Sequence, residues 1–201
     1  MTDIKSLYDT LCLTPSDINE HLPTLNRYAR ECNVVVECGV RTVVSSYALA
    51  LALKNRGNTY LYQIDPERTD NIDIFQKRCL DEGIKTEFIE KSDLDCDLIN
   101  CDLLFIDTWH VYGQLKRELA RWHSSVSKYI IMHDTTVDEW NGETIRAGLN
   151  AELQSATFGI PVDEIKKGLW PAISEFLVEH PEWKIFERYT NNNGLTILKR
   201  D

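Results

Sequence analysis

The sequence predicts one α/β domain built on a doubly wound, mostly parallel sheet, flanked by N-terminal helices and closed by a C-terminal antiparallel hairpin. Three observations carry this prediction. Five short apolar runs alternate with helix-like stretches, two further runs face each other across Asn191-Asn192-Asn193-Gly194, and no linker, repeat or low-complexity tract divides the 201 residues. Residues 1–32 read as a helical flank and residues 33–201 as the core of a single domain, a length large enough for a substantial interior.

The elements follow in order. Thr14-Pro15-Ser16-Asp17 reads as a helix start, with Ile18, Leu22 and Leu25 forming an apolar stripe. Strands are expected at 33–37, 59–65, 86–90, 102–107 and 128–134, each an apolar run rich in Val, Ile, Leu, Tyr or Phe. Helices are expected at 44–55, entered through Ser45 and Ser46, at 72–82 and at 113–124. Residues 161–180 hold one or two further helices, and 183–189 pairs with 194–199 as the closing hairpin, which separates this architecture from a fully parallel dinucleotide fold.

Composition narrows the function. With 22 basic and 32 acidic residues the net charge is −10, which argues against a nucleic-acid surface, since a phosphate backbone calls for clustered Lys and Arg. No apolar stretch is long enough to span a bilayer and the polar, acidic N-terminal sequence does not read as a signal peptide, so a soluble cytoplasmic protein is expected. The six cysteines lack C-x-x-C pairing and read as reduced, mostly buried thiols.

In an open parallel sheet a ligand lies beyond the carboxyl ends of the strands. The residues ending the apolar runs are Glu37 with Cys38 and Gly39, then Asp65, Ser92 with Asp93, Asp107, and Asp134. Gly39 lets backbone approach a ligand, and Asp65 can accept from both hydroxyls of a ribose. No G-x-G-x-x-G is present and Val43 and Val44 stand where a pyrophosphate would need bare backbone, so a neutral or cationic nucleoside fits better than a dinucleotide.

These residues carry a resemblance. The segment 36–45, with Glu37, Gly39 and Ser45, resembles the first motif (E-x-G-x-x-x-G-x-S) of class I S-adenosylmethionine-dependent methyltransferases, with Val43 in place of its second glycine and Asp65 as the following acid. Residues 105–112, His133-Asp134-Thr135, the segment 168–177 and the Asn192-Asn193-Gly194-Leu195-Thr196 ending are similar to the cephalosporin hydroxylase-like and sugar O-methyltransferase group. The resemblance implies a Rossmann-like fold and S-adenosylmethionine as cofactor. It implies that Glu37, Gly39, Arg41 and Ser45 lie along the methionine end, Asp65 at the ribose, Ser92 and Asp93 at the adenine, and Asp107 beside the cofactor. In metal-dependent relatives an acid ending the fourth strand and a pair ending the fifth hold a divalent ion. The matching positions are Asp107, His133 and Asp134, a donor set better suited to Mn2+ than to Mg2+.

The expected activity is O-methylation of a sugar or glycan hydroxyl. Alternatives are another small-molecule hydroxyl, such as a phenol or polyketide, or a non-catalytic nucleoside-binding module. An alkyl hydroxyl must lose its proton as it attacks the sulfonium methyl, and His110, three residues after Asp107, is placed to accept it beside Asp107 and Asp134. Neither membrane nor nucleic-acid partners are expected, and the N-terminal helices and C-terminal hairpin offer surfaces for a homodimer.

Overall fold

The computed structural model describes residues 2–201. In chain order α1 (Ile4–Leu13) and α2 (Leu22–Ala29) precede β1 (Val34–Cys38), α3 (Val44–Leu53), β2 (Tyr60–Asp65), α4 (Asp70–Asp81), β3 (Thr86–Glu90), β4 (Cys101–Ile106), α5 (Tyr112–Trp122) and β5 (Val126–His133). Helices α6 (Glu143–Arg146), α7 (Ala151–Phe158), α8 (Val162–Lys166) and α9 (Leu169–Glu179) follow, then β6 (Trp183–Tyr189) and β7 (Leu195–Arg200).

All seven strands join one sheet in the order β3-β2-β1-β4-β5-β7-β6. Strands β1 to β5 run parallel, while β7 lies antiparallel between β5 and β6. Strand order reverses between β1 and β4, which leaves a crevice beyond their carboxyl ends. Alternate side chains divide between the two faces. Val35, Leu103, Phe105, Ile131 and Ile197 pack under α1 to α4, whereas Val36, Leu104, Ile130 and Leu198 pack under α5 and α9 with Trp122, Phe176 and Trp183.

Observed strands begin or end within two residues of the expected ones. The N-terminal flank differs more. Thr14 terminates α1, because Pro15 cannot continue a helix, and α2 begins later with Pro23 in its first turn. The short helices α6 and α7 were not legible as a stripe: α7 leaves Leu153 and Phe158 exposed and is set by Asn150, whose side chain accepts from Leu153 N at 2.8 Å, and by Gly159 at φ 72°. Trp183 is buried in the core, whereas Trp170 is only half-buried, with the Arg188 guanidinium 3.8 Å above its ring. Among the described residues no helix is long and apolar enough to cross a membrane, and all six cysteines are free.

Candidate active site

The crevice starts from backbone. Gly39 N donates to Ile64 O and Asp107 N donates to Cys38 O, each at 2.9 Å, so the chain leaves β1 and β4 side by side. Gly39 adopts φ +84°, and a Cβ built there would stand 2.0 Å from the Asp107 carbonyl oxygen. Sequence reasoning directs that Cβ at a ligand; it meets the neighbouring loop instead. Val43, at the position of the motif's second glycine, enters α3 at φ 60°, a strained conformation for a β-branched residue that is tied to its burial in the core.

Glu37 is fully buried beneath the loop. It accepts from Ser45 Oγ at 2.5 Å, Ser46 Oγ at 2.7 Å and Gln63 Nε2 at 3.0 Å, fastening the first turn of α3 to β1 and β2. Burial pushes its carboxyl up to about 7 against these three donors. Asp65 Oδ2 accepts from Val40 N at 2.8 Å and Arg41 N at 3.3 Å, and its Oδ1 from Glu67 N at 2.9 Å, so its carboxylate supports the loop from the other side.

Two cavities meet here. A mostly apolar one of about 630 Å3 extends past Asp65, Ser92 and Asp93 between Ile64, Pro66, Trp109 and Phe158. A smaller one of about 310 Å3 reaches Asp17, Ser45, His110, Asp134 and Glu143. Gly39, Arg41, Thr42, Asp107, Thr108 and Trp109 line both.

Behind the larger cavity lies a carboxyl pair. Glu118, buried on the inner face of α5, accepts from Thr108 Oγ1 at 2.5 Å and Gln114 Nε2 at 2.8 Å through Oε1, while its Oε2 and Asp93 Oδ2 have no other donor. Burial raises both acids, Glu118 far more, so Glu118 carries the proton and bonds to Asp93.

In the smaller cavity, His110 Nε2 lies 3.1 Å from Asp107 Oδ1. Its Nδ1 is buried, makes no hydrogen bond, and is ringed by Asp134 Oδ2 at 3.1 Å, Glu143 Oε2 at 3.5 Å and Asp138 Oδ2 at 3.6 Å. Both nitrogens thus face carboxylates, and when the ring gives up a proton the Asp107 bond keeps the remaining one on Nε2, which leaves the lone pair of the neutral ring on Nδ1. Burial disfavours the charged ring, but Asp107, Asp134 and Glu143 outweigh it and hold His110 above the usual histidine range. Asp138 is neutralised by a two-pronged pairing with Arg146 at 2.6 and 2.9 Å.

His133 differs. Its Nδ1 lies 3.3 Å from both Asp107 Oδ1 and Asp134 Oδ2, and its Nε2 lies 3.2 Å from Asn192 O, so each nitrogen faces only acceptors and the ring is an imidazolium. Burial opposes the charge, yet the carboxylates push its pKa up to about 10. Burial likewise works against Asp107, which the two histidines hold well below the usual carboxylate range.

These groups make stability depend on pH. A folded-state proton on Glu37 is lost from the unfolded chain at its ordinary value of 4.5, so its contribution falls between about pH 4.5 and 7. For His133 the raised pKa gives stability that is complete below 6.5 and lost as pH climbs toward about 10. Asp107 acts oppositely, losing its contribution only on strong acidification. The melting temperature is therefore expected to fall by roughly 5–15 °C between pH 6.5 and 9 at constant ionic strength, at about 2–4 °C per kcal/mol for this size. A flat profile there would remove the imidazolium assignment.

The structure brings Asp107, His110 and Asp134 together in the smaller cavity, and Gly39, Arg41, Asp65, Ser92 and Asp93 around the larger one. Ser45 borders the smaller cavity with its hydroxyl turned to Glu37, and Arg41 pairs with Asp17 at 2.8 Å. Glu37 and His133 border neither of these two cavities. One nitrogen or oxygen each of Asp107, His110 and Asp134 lie within 4.8 Å of one another, a donor set that fits a divalent ion, whereas His133 offers no free nitrogen. Sequence reasoning missed Asp17, Thr108, Glu118, Asp138 and Glu143. Only Glu118 carried a signal, an acid on the same helical face as Leu115, Leu119 and Trp122.

No protein-family model and no curated protein sequence matches the chain. Solved structures do. A protein of Staphylococcus aureus, provisionally described as a caffeoyl-CoA O-methyltransferase, superposes with a TM-score of 0.63 at 13% identity, covering 100% of this chain and 93% of its own. A methyltransferase of Podospora anserina bound to S-adenosylhomocysteine gives 0.60 at 15% identity, over 100% and 89%. Magnesium protoporphyrin IX methyltransferase of Synechocystis, also bound to S-adenosylhomocysteine, gives 0.56 at 14%, over 92% and 86%. With its strand order, its C-terminal hairpin and these likenesses, the chain has the Rossmann-like fold of S-adenosylmethionine-dependent methyltransferases.

Proposed function

We propose that this protein is an S-adenosylmethionine-dependent O-methyltransferase acting on a hydroxyl of a sugar or glycan. One observation carries the reading: an apolar cavity edged by Asp65 and Asp93 opens into a polar cavity holding an Asp-His-Asp cluster, with Gly39, Thr42 and Asp107 in the shared wall. The first suits an adenosyl group, with the ribose at Asp65, the adenine between Phe158 and Ile64 near Ser92 and Asp93, and the methionine end toward Gly39, Arg41 and Ser45. The sulfonium methyl then points into the second cavity. Polar groups on several sides there, from Asp17, Thr42, Asp134 and Glu143, suit a polyhydroxylated acceptor better than a flat phenol, and Trp109 offers a stacking face.

Within the cluster, His110 Nδ1 accepts the hydroxyl proton while Asp107 holds the ring through Nε2. Asp134 Oδ1, buried and without a partner, accepts from a second acceptor group or fixes the attacking one. His133 supplies fixed positive charge between Asp107 and Asp134. A divalent ion held by Asp107, His110 and Asp134 would instead polarise the hydroxyl and lower its pKa. Holding oxygen, methyl carbon and sulfur in line accounts for the remaining several kcal/mol of acceleration.

The test is calorimetric binding of S-adenosylhomocysteine, followed by transfer of labelled methyl to a panel of sugars, nucleotide sugars and phenols, with and without EDTA. Asp65→Ala is expected to weaken S-adenosylhomocysteine at least about 30-fold, from loss of ribose contacts and of the loop support at Val40 and Arg41. An unchanged dissociation constant would refute the ribose assignment. Methylation of phenols alone would move the acceptor assignment to the aromatic alternative.

A further inference from the structure

A second cluster of metal-ligating side chains lies at the opposite end of the strands, ahead of β5 and β6. His123 begins the turn between α5 and β5, and His180 and Glu182 lie in the turn between α9 and β6. The eight residues of β5 separate this cluster from the active site, about 25 Å at ~3.3 Å per residue. One donor atom from each of His123, His180 and Glu182 lies within 4.8 Å of the others.

The rings are held by packing. The His123 and His180 ring centroids are 4.0 Å apart at 42°, and both rest on Phe176, at 5.8 and 4.7 Å. His180 N donates to Phe176 O at 2.8 Å and Trp183 N donates to His180 O at 3.0 Å, a tight turn that fixes Glu182, whose Oε1 lies 3.5 Å from His180 Nδ1. His123 Nδ1 is buried and has no hydrogen-bond partner. An orphaned imidazole nitrogen beside a second imidazole and a carboxylate is an unexplained loss of hydrogen bonding, and it is a loss that a cation would make good.

We propose that His123, His180 and Glu182 form a binding site for a transition-metal ion of the zinc class, which clips the turn ahead of β5 to the turn ahead of β6. Two imidazoles and one carboxylate are zinc-type donors, and the fourth position is left to water. Tetrahedral bonds of about 2.0–2.1 Å place ligand atoms roughly 3.4 Å apart, a closure within reach of small side-chain rotations. His180 and Glu182 are partly exposed, at 24% and 36% of their side-chain surface, which gives the ion an entry route. Arg200 is the nearby opposing charge; its guanidinium is bound to Val126 O at 2.8 Å and lies over the Trp183 ring, and Glu182 offsets it.

The test uses the full chain carrying Asp107→Asn and Asp134→Asn, which removes both carboxylates of the active-site donor set and leaves His110 as its one remaining member. Zn2+ titration by calorimetry, with bound metal counted after dialysis, is expected to show one equivalent and a raised melting temperature. Adding His180→Ala or Glu182→Gln should weaken that binding at least about tenfold and abolish the thermal shift, with His123→Ala doing the same if circular dichroism shows it folded. Co2+ in place of Zn2+ should give the visible absorption of a four-coordinate site. Absence of bound Zn2+ in the Asp107→Asn, Asp134→Asn chain, or binding indifferent to His180→Ala and Glu182→Gln, would overturn the site and leave a plain histidine pair.

Discussion

Asp134→Asn is expected to reduce kcat at least about 100-fold while leaving S-adenosylhomocysteine affinity within about threefold. Asp134 follows β5 at φ 56°, a left-handed conformation that Asn tolerates better than any other residue with a side chain, so the substitution removes charge without disturbing the backbone. What it removes is the carboxylate 3.1 Å from His110 Nδ1 and 3.3 Å from His133 Nδ1. Buried cations left without a counter-charge cost several kcal/mol, which the site avoids by releasing a proton. The pH profile distinguishes catalysis from scaffolding. A base works only when neutral, so kcat/KM rises with pH through the His110 pKa, which lies above the usual histidine value. Without Asp134 that pKa falls, and the acidic limb moves to lower pH. A merely structural role would lower the rate at every pH and leave the limb in place. His110→Asn should abolish the limb altogether; an active His110→Asn enzyme with an unmoved limb would take the base role from His110.

How much of this was legible varied with the range of the interactions. Val35 beside Val36, Leu103 beside Leu104 and Ile130 beside Ile131 announce strands covered on both faces, because each neighbour must be apolar when both sides are buried. Strand ends follow from those runs, and so Asp65, Asp107 and Asp134 could be picked out. Glu37 stood in the same pattern, yet it serves as a buried anchor, since Ser45, Ser46 and Gln63 converge on it only once α3 folds back over β1 and β2. His21 sits in a polar stretch that reads as surface, yet it is buried, its Nε2 3.0 Å from Asn191 O and 3.1 Å from Asn192 O across the whole length of the chain. The same turn fixes the charge of His133 through the Asn192 carbonyl. Asp138 and Glu143 reach His110 by way of a loop and a four-residue helix whose course depends on tertiary packing, which local sequence does not encode.

Gly39→Ala is expected to destabilise the fold by at least about 3 kcal/mol, and two other glycines separate the causes. A methyl at Gly39 would stand 2.0 Å from Asp107 O, 2.6 Å from Asp107 C and 3.1 Å from Thr108 N, all backbone atoms that cannot rotate aside, and φ +84° adds conformational strain. Gly83 shares the strain at φ +71° but faces open space, and Gly57 has neither constraint. Gly83→Ala should therefore cost about 1–2 kcal/mol, and Gly57→Ala close to nothing or a slight gain. Urea unfolding of the three variants reads these differences directly. Relief of the clash requires the loop after β4 to draw away from β1, and that loop carries Asp107 and His110, so Gly39→Ala should also lose activity under conditions where it remains folded. If Gly39→Ala is no less stable than Gly83→Ala, the close approach of the two loops is not what demands glycine there.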